Sequence, residues 1–168
     1  IDTALENQMN TFDSRSFRNA LGEFATGVAI VTTQVGDDAP IGITVNSFSS
    51  VSLDPPLVLW CLDKASDRLE VFEKCDGFTI NILAAAQQEL SNRLSRSGQP
   101  HLDGIAVDEG VNGCPYLSEA LATFQCDVHA RHDAGDHIIM VGRVKSFQQP
   151  SAETPLIYHR GGYCALAT

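Results

Sequence analysis

Residues 42–57, GITVNSFSSVSLDPPL, limit the possible folds more than any other stretch of the chain. Side chains alternate across a strand, so Ile41, Ile43 and Val45 fall on one face and Gly42, Thr44 and Asn46 on the other. From Thr44 to Ser52 the chain carries one Thr, one Asn and four Ser, interleaved with Val45, Phe48 and Val51. Asp54-Pro55-Pro56 then predicts a stop to any ladder, because proline has no N–H and a fixed φ. Residues 57–62, LVLWCL, read as a buried strand. Small hydroxyls beside a turn suit a phosphate or a polar ring edge, since each offers an O–H donor and the turn adds N–H groups. They suit local side-chain-to-backbone bonds at a strand end equally well, and the pattern leaves both open.

The remaining chain is organised around that strand. Asp13 is placed to cap a helix over 14–25, with Phe17, Leu21 and Phe24 as an inward stripe and Gly27 as its end. Residues 28–35 predict a strand, and 36–40 a turn joining it in a hairpin to 41–48. Ser66 or Asp67 caps a short helix reaching about Lys74, with Leu69 and Phe72 inward, and 78–83 follow as a strand. Residues 84–95 predict a helix in which Glu89 and Arg93 stand at i, i+4. Residues 96–119 lack periodicity and imply an irregular excursion, the kind of segment that often admits substrates. Residues 121–131 alternate cleanly, 133–136 turn, and 138–147 return as a strand. Short strands at 156–158 and 163–166 flank Arg160-Gly161-Gly162, and residues 1–12 read as a tail. Strands outnumber helices and join through short turns. The expectation is a mainly β chain, an antiparallel barrel with peripheral helices, in a single domain over 1–168.

Charge excludes one class of function. With a net charge of −10 the chain lacks the basic face that nucleic acid requires. An anionic cofactor would need local positive charge, for which Arg68, Arg93 and Arg96 are candidates. No apolar run approaches the roughly 20 residues of a membrane span. The first residues show no signal-peptide pattern. Five cysteines without a C-x-x-C motif read as reduced, mostly buried thiols, so the expected location is cytoplasmic and no membrane partner is expected.

Cys126, His129, His132 and His137 lie close in sequence, but strand alternation puts Cys126 and His132 on one face and His129 on the other. No metal site is expected from that spacing. There is no G-x-S-x-G elbow, no P-loop and no G-x-G-x-x-G.

The signature at 42–57 resembles that of the flavin-reductase-like, FMN-binding split-barrel family, and within it the short-chain NAD(P)H:flavin reductases. Further family-like segments occur in order: FATGVAIVTT at 24–33, FTINIL at 78–83, Gly135-Asp136-His137, and PLIY at 155–158 through Gly162-Tyr163. The likeness covers roughly residues 17–166. It implies a split β-barrel, usually a homodimer, that passes hydride from NADH or NADPH to FMN or FAD. The reduced flavin then goes to a separate flavin-dependent monooxygenase component. It implies flavin ring-edge and ribityl contacts from Thr44, Asn46, Ser47, Ser49, Ser50 and Ser52, with the ring against Phe48 to Val51 and Asp63 nearby. Ser66, Arg68, Ser91 and Arg93 would hold the phosphate, and Tyr163 would line the pocket or fill the dimer interface. His137 would position the nicotinamide without acting as acid or base. From spacing alone His137 reads first as a turn histidine in solvent, and Arg93 equally as a partner of Glu89. An alternative function on the same barrel is a non-enzymatic FMN-binding electron carrier. An oxidase of the pyridoxamine-phosphate type fits the Ser-rich run and the Gly-Asp-His turn less well. Residues 96–113 match no family pattern, which leaves the choice between NADH and NADPH open.

Overall fold

Seven antiparallel strands form the main sheet, and its two ends belong to one short piece of chain. In the computed structural model, which describes residues 13–166, these strands are β2 (Ala29–Thr33), β3 (Ile41–Val45), β4 (Ser49–Leu53), β5 (Pro56–Asp63), β6 (Gly77–Ile82), β9 (Ala122–Ala134) and β10 (His137–Gln148). Their order is β3-β2-β6-β9-β10-β5-β4, so the edge strands β3 and β4 are joined by only Asn46, Ser47 and Phe48. Ser47 ties this link to β5: its Oγ accepts from Cys61 N at 2.9 Å and donates to Cys61 O at 3.3 Å. A small sheet of β1 (Thr26–Gly27), β11 (Ile157–His159) and β12 (Gly162–Cys164) lies in the order β1-β11-β12. The helices α1 (Ser14–Leu21), α2 (Leu69–Lys74) and α3 (Gln88–Leu94) are peripheral.

The continuous apolar run in β2 is explained by burial on both faces. Ala29 and Val31 enter one core cluster, Val28 and Ile30 another. The first cluster centres on Trp60, whose ring meets Phe72 at 4.9 Å and Phe78 at 5.8 Å, both edge-on. All three are fully buried, each contributing about 1.5–3 kcal/mol or more of hydrophobic stabilisation. β10 crosses Phe78 so closely that a Cβ on Gly142 would stand 2.5 Å from Phe78 Cζ, so this position requires glycine.

The Asp54-Pro55-Pro56 signal proves to be a tight hairpin rather than an end to pairing. Leu53 pairs with Pro56, and β5 begins at that proline. Pro56 can sit there because the first residue of a strand need not donate to the ladder. Residues 96–119 contain a hairpin of β7 (Val107–Glu109) and β8 (Pro115–Leu117). Buried Asn81 pins it: its Nδ2 donates to Ile30 O at 2.9 Å, while Leu117 N donates to its Oδ1 at 2.7 Å. Thr32 Oγ1 donates to Pro115 O.

The first helix departs from expectation. Asp13 does cap it, accepting from Ser16 N at 2.9 Å, but it ends at Leu21 with Gly22 as C-cap, and Thr26 and Gly27 are extended. Its apolar stripe is not core: Phe17, Leu21 and Phe24 are 50%, 59% and 80% exposed. The expected tail, residues 1–12, lies outside the described residues.

Candidate functional site

The alternation that begins in β3 ends at Asn46, and three cavities meet there. The first, of about 450 Å³, is lined by Thr44, Asn46, Asn92, Ser95, Tyr158 and Tyr163, among others. The second, about 240 Å³, lies between Phe24 to Ala29, Phe48 and Ile82. The third is an open cleft of about 860 Å³ that includes Arg18, Glu23, Thr26, His137, Tyr158 and Arg160. Asn46 lines all three, and its carboxamide has no hydrogen-bond partner among the described residues.

The wall of the first cavity is tied by a chain of hydroxyls. Thr44 Oγ1 donates to Ser91 O at 2.8 Å, and Ser91 Oγ shares a 2.7 Å hydrogen bond with Tyr163 Oη. Tyr163 packs edge-on against Tyr158 with centroids 5.5 Å apart. The strand β3, helix α3 and the β11–β12 hairpin thereby form one rigid surface.

The histidine of the cleft is held by its turn. His137 opens β10 opposite Asp63 in β5, and its Nδ1 lies 2.7 Å from Asp136 Oδ1. That hydrogen bond, with the imidazole charge and Lys64 adding to it, holds the Asp136 carboxyl below its usual range. Lys64 clamps the turn by donating to Asp133 Oδ1 at 2.8 Å and Gly135 O at 2.6 Å. At the facing wall, the Arg160 guanidinium keeps the Glu23 carboxyl below its usual range, chiefly through the hydrogen bonds between them. Thr26 Oγ1 is buried between the second and third cavities without a hydrogen-bond partner among the described residues.

Of the residues expected at a flavin, the fold gathers Thr44, Asn46, Phe48, Ser91 and Tyr163 around these cavities, with His137 in the cleft. It leaves Ser49, Ser50, Val51 and Ser52 on the edge strand β4, outside all three. Val51 is 49% exposed, and Ser49 Oγ donates to Ser50 O. Ser47 is used in the tie to β5. Asp63 accepts from Ala65 N at 2.7 Å and Ser66 Oγ accepts from Arg68 N at 3.2 Å, so both shape the turn into α2.

Both arginines expected at the phosphate are engaged by protein groups. Arg68 is 3% exposed. Its Nε donates to Gly42 O, its Nη2 to Leu94 O and Arg96 O, and its Nη1 to Asp67. A guanidinium committed this way is a structural post between β3 and the end of α3. Arg93 makes no ion pair with Glu89 among the described residues. It donates to Asp103 O and His101 O, both at 3.0 Å, and so anchors the excursion.

Asn92, Ser95, Thr26, Glu23, Tyr158 and Arg160 also line these cavities, and no sequence pattern marks them for the site. Tyr158 and Arg160 lie in the motif segment that runs from residue 155 to Tyr163, whereas Asn92 and Ser95 follow Ser91 where the sequence carries no signal. Among the described residues no three His, Cys, Asp or Glu side chains could hold a metal ion. No helix among them is long and apolar enough to cross a membrane.

The cavities suit a flavin beside a nicotinamide. Their sizes fall largely within the roughly 300–1,000 Å³ of small-molecule sites. At their junction buried Thr26 Oγ1 has no partner among the described residues, and the solvent-exposed Asn46 carboxamide is free to bond a ring edge rich in N–H and C=O.

Residues 21–167 match the sequence profile of the flavin reductase like domain. FMN reductase (NADH) SmoA of Agrobacterium fabrum (strain C58 / ATCC 33970) is 48% identical over 153 residues, spanning 90% of this chain and 85% of that protein. The reductase subunit HsaB of a flavin-dependent monooxygenase from Rhodococcus jostii (strain RHA1) is 39% identical, spanning 92% and 78%. Against a protein of Rhizobium meliloti (strain 1021) named as a probable flavin reductase, 43% identical over 90% of this chain, the chain spans about half the relative's length, 49%. The solved flavin reductase PheA2 superposes with a TM-score of 0.86 at 35% identity, over 94% of this chain and all of that one.

Proposed function

Because the chain belongs to the flavin reductase like domain family, we propose that it is the NAD(P)H-dependent flavin reductase of a two-component monooxygenase. It takes hydride from a nicotinamide dinucleotide, with NADH the better supported donor, onto FMN or FAD, and supplies reduced flavin to a partner monooxygenase. The observation that carries this reading is the meeting of three cavities at Asn46, which gives two ligands one shared boundary.

The cofactors bring the redox chemistry, and the protein contributes placement and exclusion of water. Thr44, Asn46, Asn92, Ser95 and Tyr163 would hold the flavin. His137, Asn46 and Thr26 would orient the nicotinamide in the cleft. His137 acts by position and needs no proton transfer. A homodimer is part of the proposal. Val51, Leu53 and Phe147 are 49%, 97% and 70% exposed, and a second copy would cover such a surface. On that arrangement the edge strand β4 and its serines reach the flavin only in the assembled pair.

Absorbance at the reduced-nicotinamide band, followed with NADH or NADPH and with FMN, FAD or riboflavin, tests the function. Strong oxidation that depends on added flavin is the expected result. A yellow protein with tightly bound FMN and negligible turnover would replace the reductase with an electron carrier.

A further inference from the structure

Among the described residues, Arg160 alone has a left-handed backbone without being glycine, with φ of +50°. With Gly161 at φ of +79° it makes the two-residue turn between β11 and β12, which requires that conformation, and contacts from outside the hairpin hold its side chain. The end of α1 and the segment after it supply those contacts. Arg160 N donates to Gly22 O at 3.0 Å. Its Nε donates to both Glu23 oxygens, at 3.1 and 3.0 Å, and its Nη2 to Glu23 Oε2 at 2.7 Å.

That grip holds the guanidinium by one edge, and Nη1 has no partner among the described residues. Arg18 reaches the same cleft from the last turn of α1 and makes no ion pair among the described residues. In a chain of net charge −10, one cleft thus brings together two guanidinium groups and His137. Two forks suit a group with several phosphate oxygens.

We propose that Arg18 and Arg160 form the subsite for the pyrophosphate of the dinucleotide donor, with Glu23 as the positioning residue that keeps Arg160 in place. The inference rests on the cleft being the donor site. It separates the two anions of the reaction: the donor's pyrophosphate lies on the Arg160 side of Tyr158, and the flavin phosphate lies elsewhere.

The variant R160G tests this with the backbone spared, because glycine adopts positive φ without strain. R18A is its companion. Two readouts are needed on the full chain. One is kcat/KM for NADH beside that for N-benzyl-1,4-dihydronicotinamide, a donor without phosphate. The other is the dissociation constant of ADP-ribose by calorimetry. R160G should lower kcat/KM for NADH by about 10- to 100-fold and weaken ADP-ribose by a similar factor, the scale of a lost charged hydrogen bond. It should leave the phosphate-free donor within about two-fold, and the ratio of FMN to riboflavin turnover unchanged. Equal losses with both donors, or none with either, would overturn the subsite. A collapse of the FMN preference over riboflavin would move Arg160 to the flavin phosphate and overturn it too. Should the unaltered chain oxidise neither donor and bind no ADP-ribose, the donor-site reading itself fails, and the subsite with it.

Discussion

Ser91 and Tyr163 stand 72 positions apart in the chain, yet their hydroxyls meet at 2.7 Å. Ser91 is fully buried while Tyr163 also lines the first cavity, so the bond joins α3 to β12 at the cavity wall. Y163F removes one partner and leaves a buried hydroxyl unsatisfied, at a cost of about 1–2 kcal/mol. Urea denaturation should show that loss, and S91A/Y163F together should cost less than the sum of the singles. A fully additive double variant would mean that the bond contributes nothing.

Arg68 and Arg93 should behave as opposites. R68M strands the carbonyls of Gly42, Leu94 and Arg96 and removes a buried charge, so it should destabilise by roughly 3 kcal/mol or more. R93A should change global stability by about 1 kcal/mol or less and instead loosen residues 101–103. Limited proteolysis separates the two, with R93A expected to gain cleavage near His101.

His137 is expected to matter for the donor and not for the flavin. H137A should raise KM for NADH about ten-fold while KM for FMN stays within about two-fold, the signature of a lost positioning contact. Steady-state kinetics with each substrate varied in turn is the check. A flat ratio of the two effects would remove the histidine from the donor site.

The cysteines predict an alkaline limit. Burial, with the neighbouring Asp127 charge and Cys114 adding to it, pushes the Cys126 thiol up to about 12, and burial raises Cys75 and Cys114 as well. In the unfolded chain these thiols ionise near 9.0, while the fold keeps them protonated. Their contribution is therefore complete below pH 9 and is lost as pH rises from there towards 12. Urea midpoints should fall between pH 8 and pH 10.5. At neutral pH iodoacetamide should label exposed Cys164 first and the three buried thiols only after unfolding.

Local pattern carried most of the architecture. The alternation at 41–45, the apolar run at 57–62 and the turn at 135–136 specify strands and hairpins through period and turn chemistry alone, and these appear as β3, β5 and the β9–β10 turn. The motif resemblance pointed to Asn46 and His137. What stayed hidden depends on partners distant in sequence. Arg68 has the same local context whether its fork meets a phosphate or three carbonyls, and only tertiary structure brings residues 42, 94 and 96 to it. Phe17 and Leu21 on α1 share a helical period yet stay at least half exposed, because period specifies a face and not how deeply that face is buried. Glu23 and Arg160 are 137 positions apart, beyond any window of pattern reading.

Between β3 and β4 the wall is joined only by three residues of chain, anchored to β5 through the two hydrogen bonds of Ser47, where a strand pair would have a full row of rungs. Local opening begins where such rungs are fewest. Asn46 and Phe48, which face the cavities, sit on either side of that serine. A molecule that fills those cavities therefore laces the wall shut. Amide hydrogen exchange at 46–48 would slow on filling by far more than exchange in β9, so the least protected part of the barrel would report its occupancy.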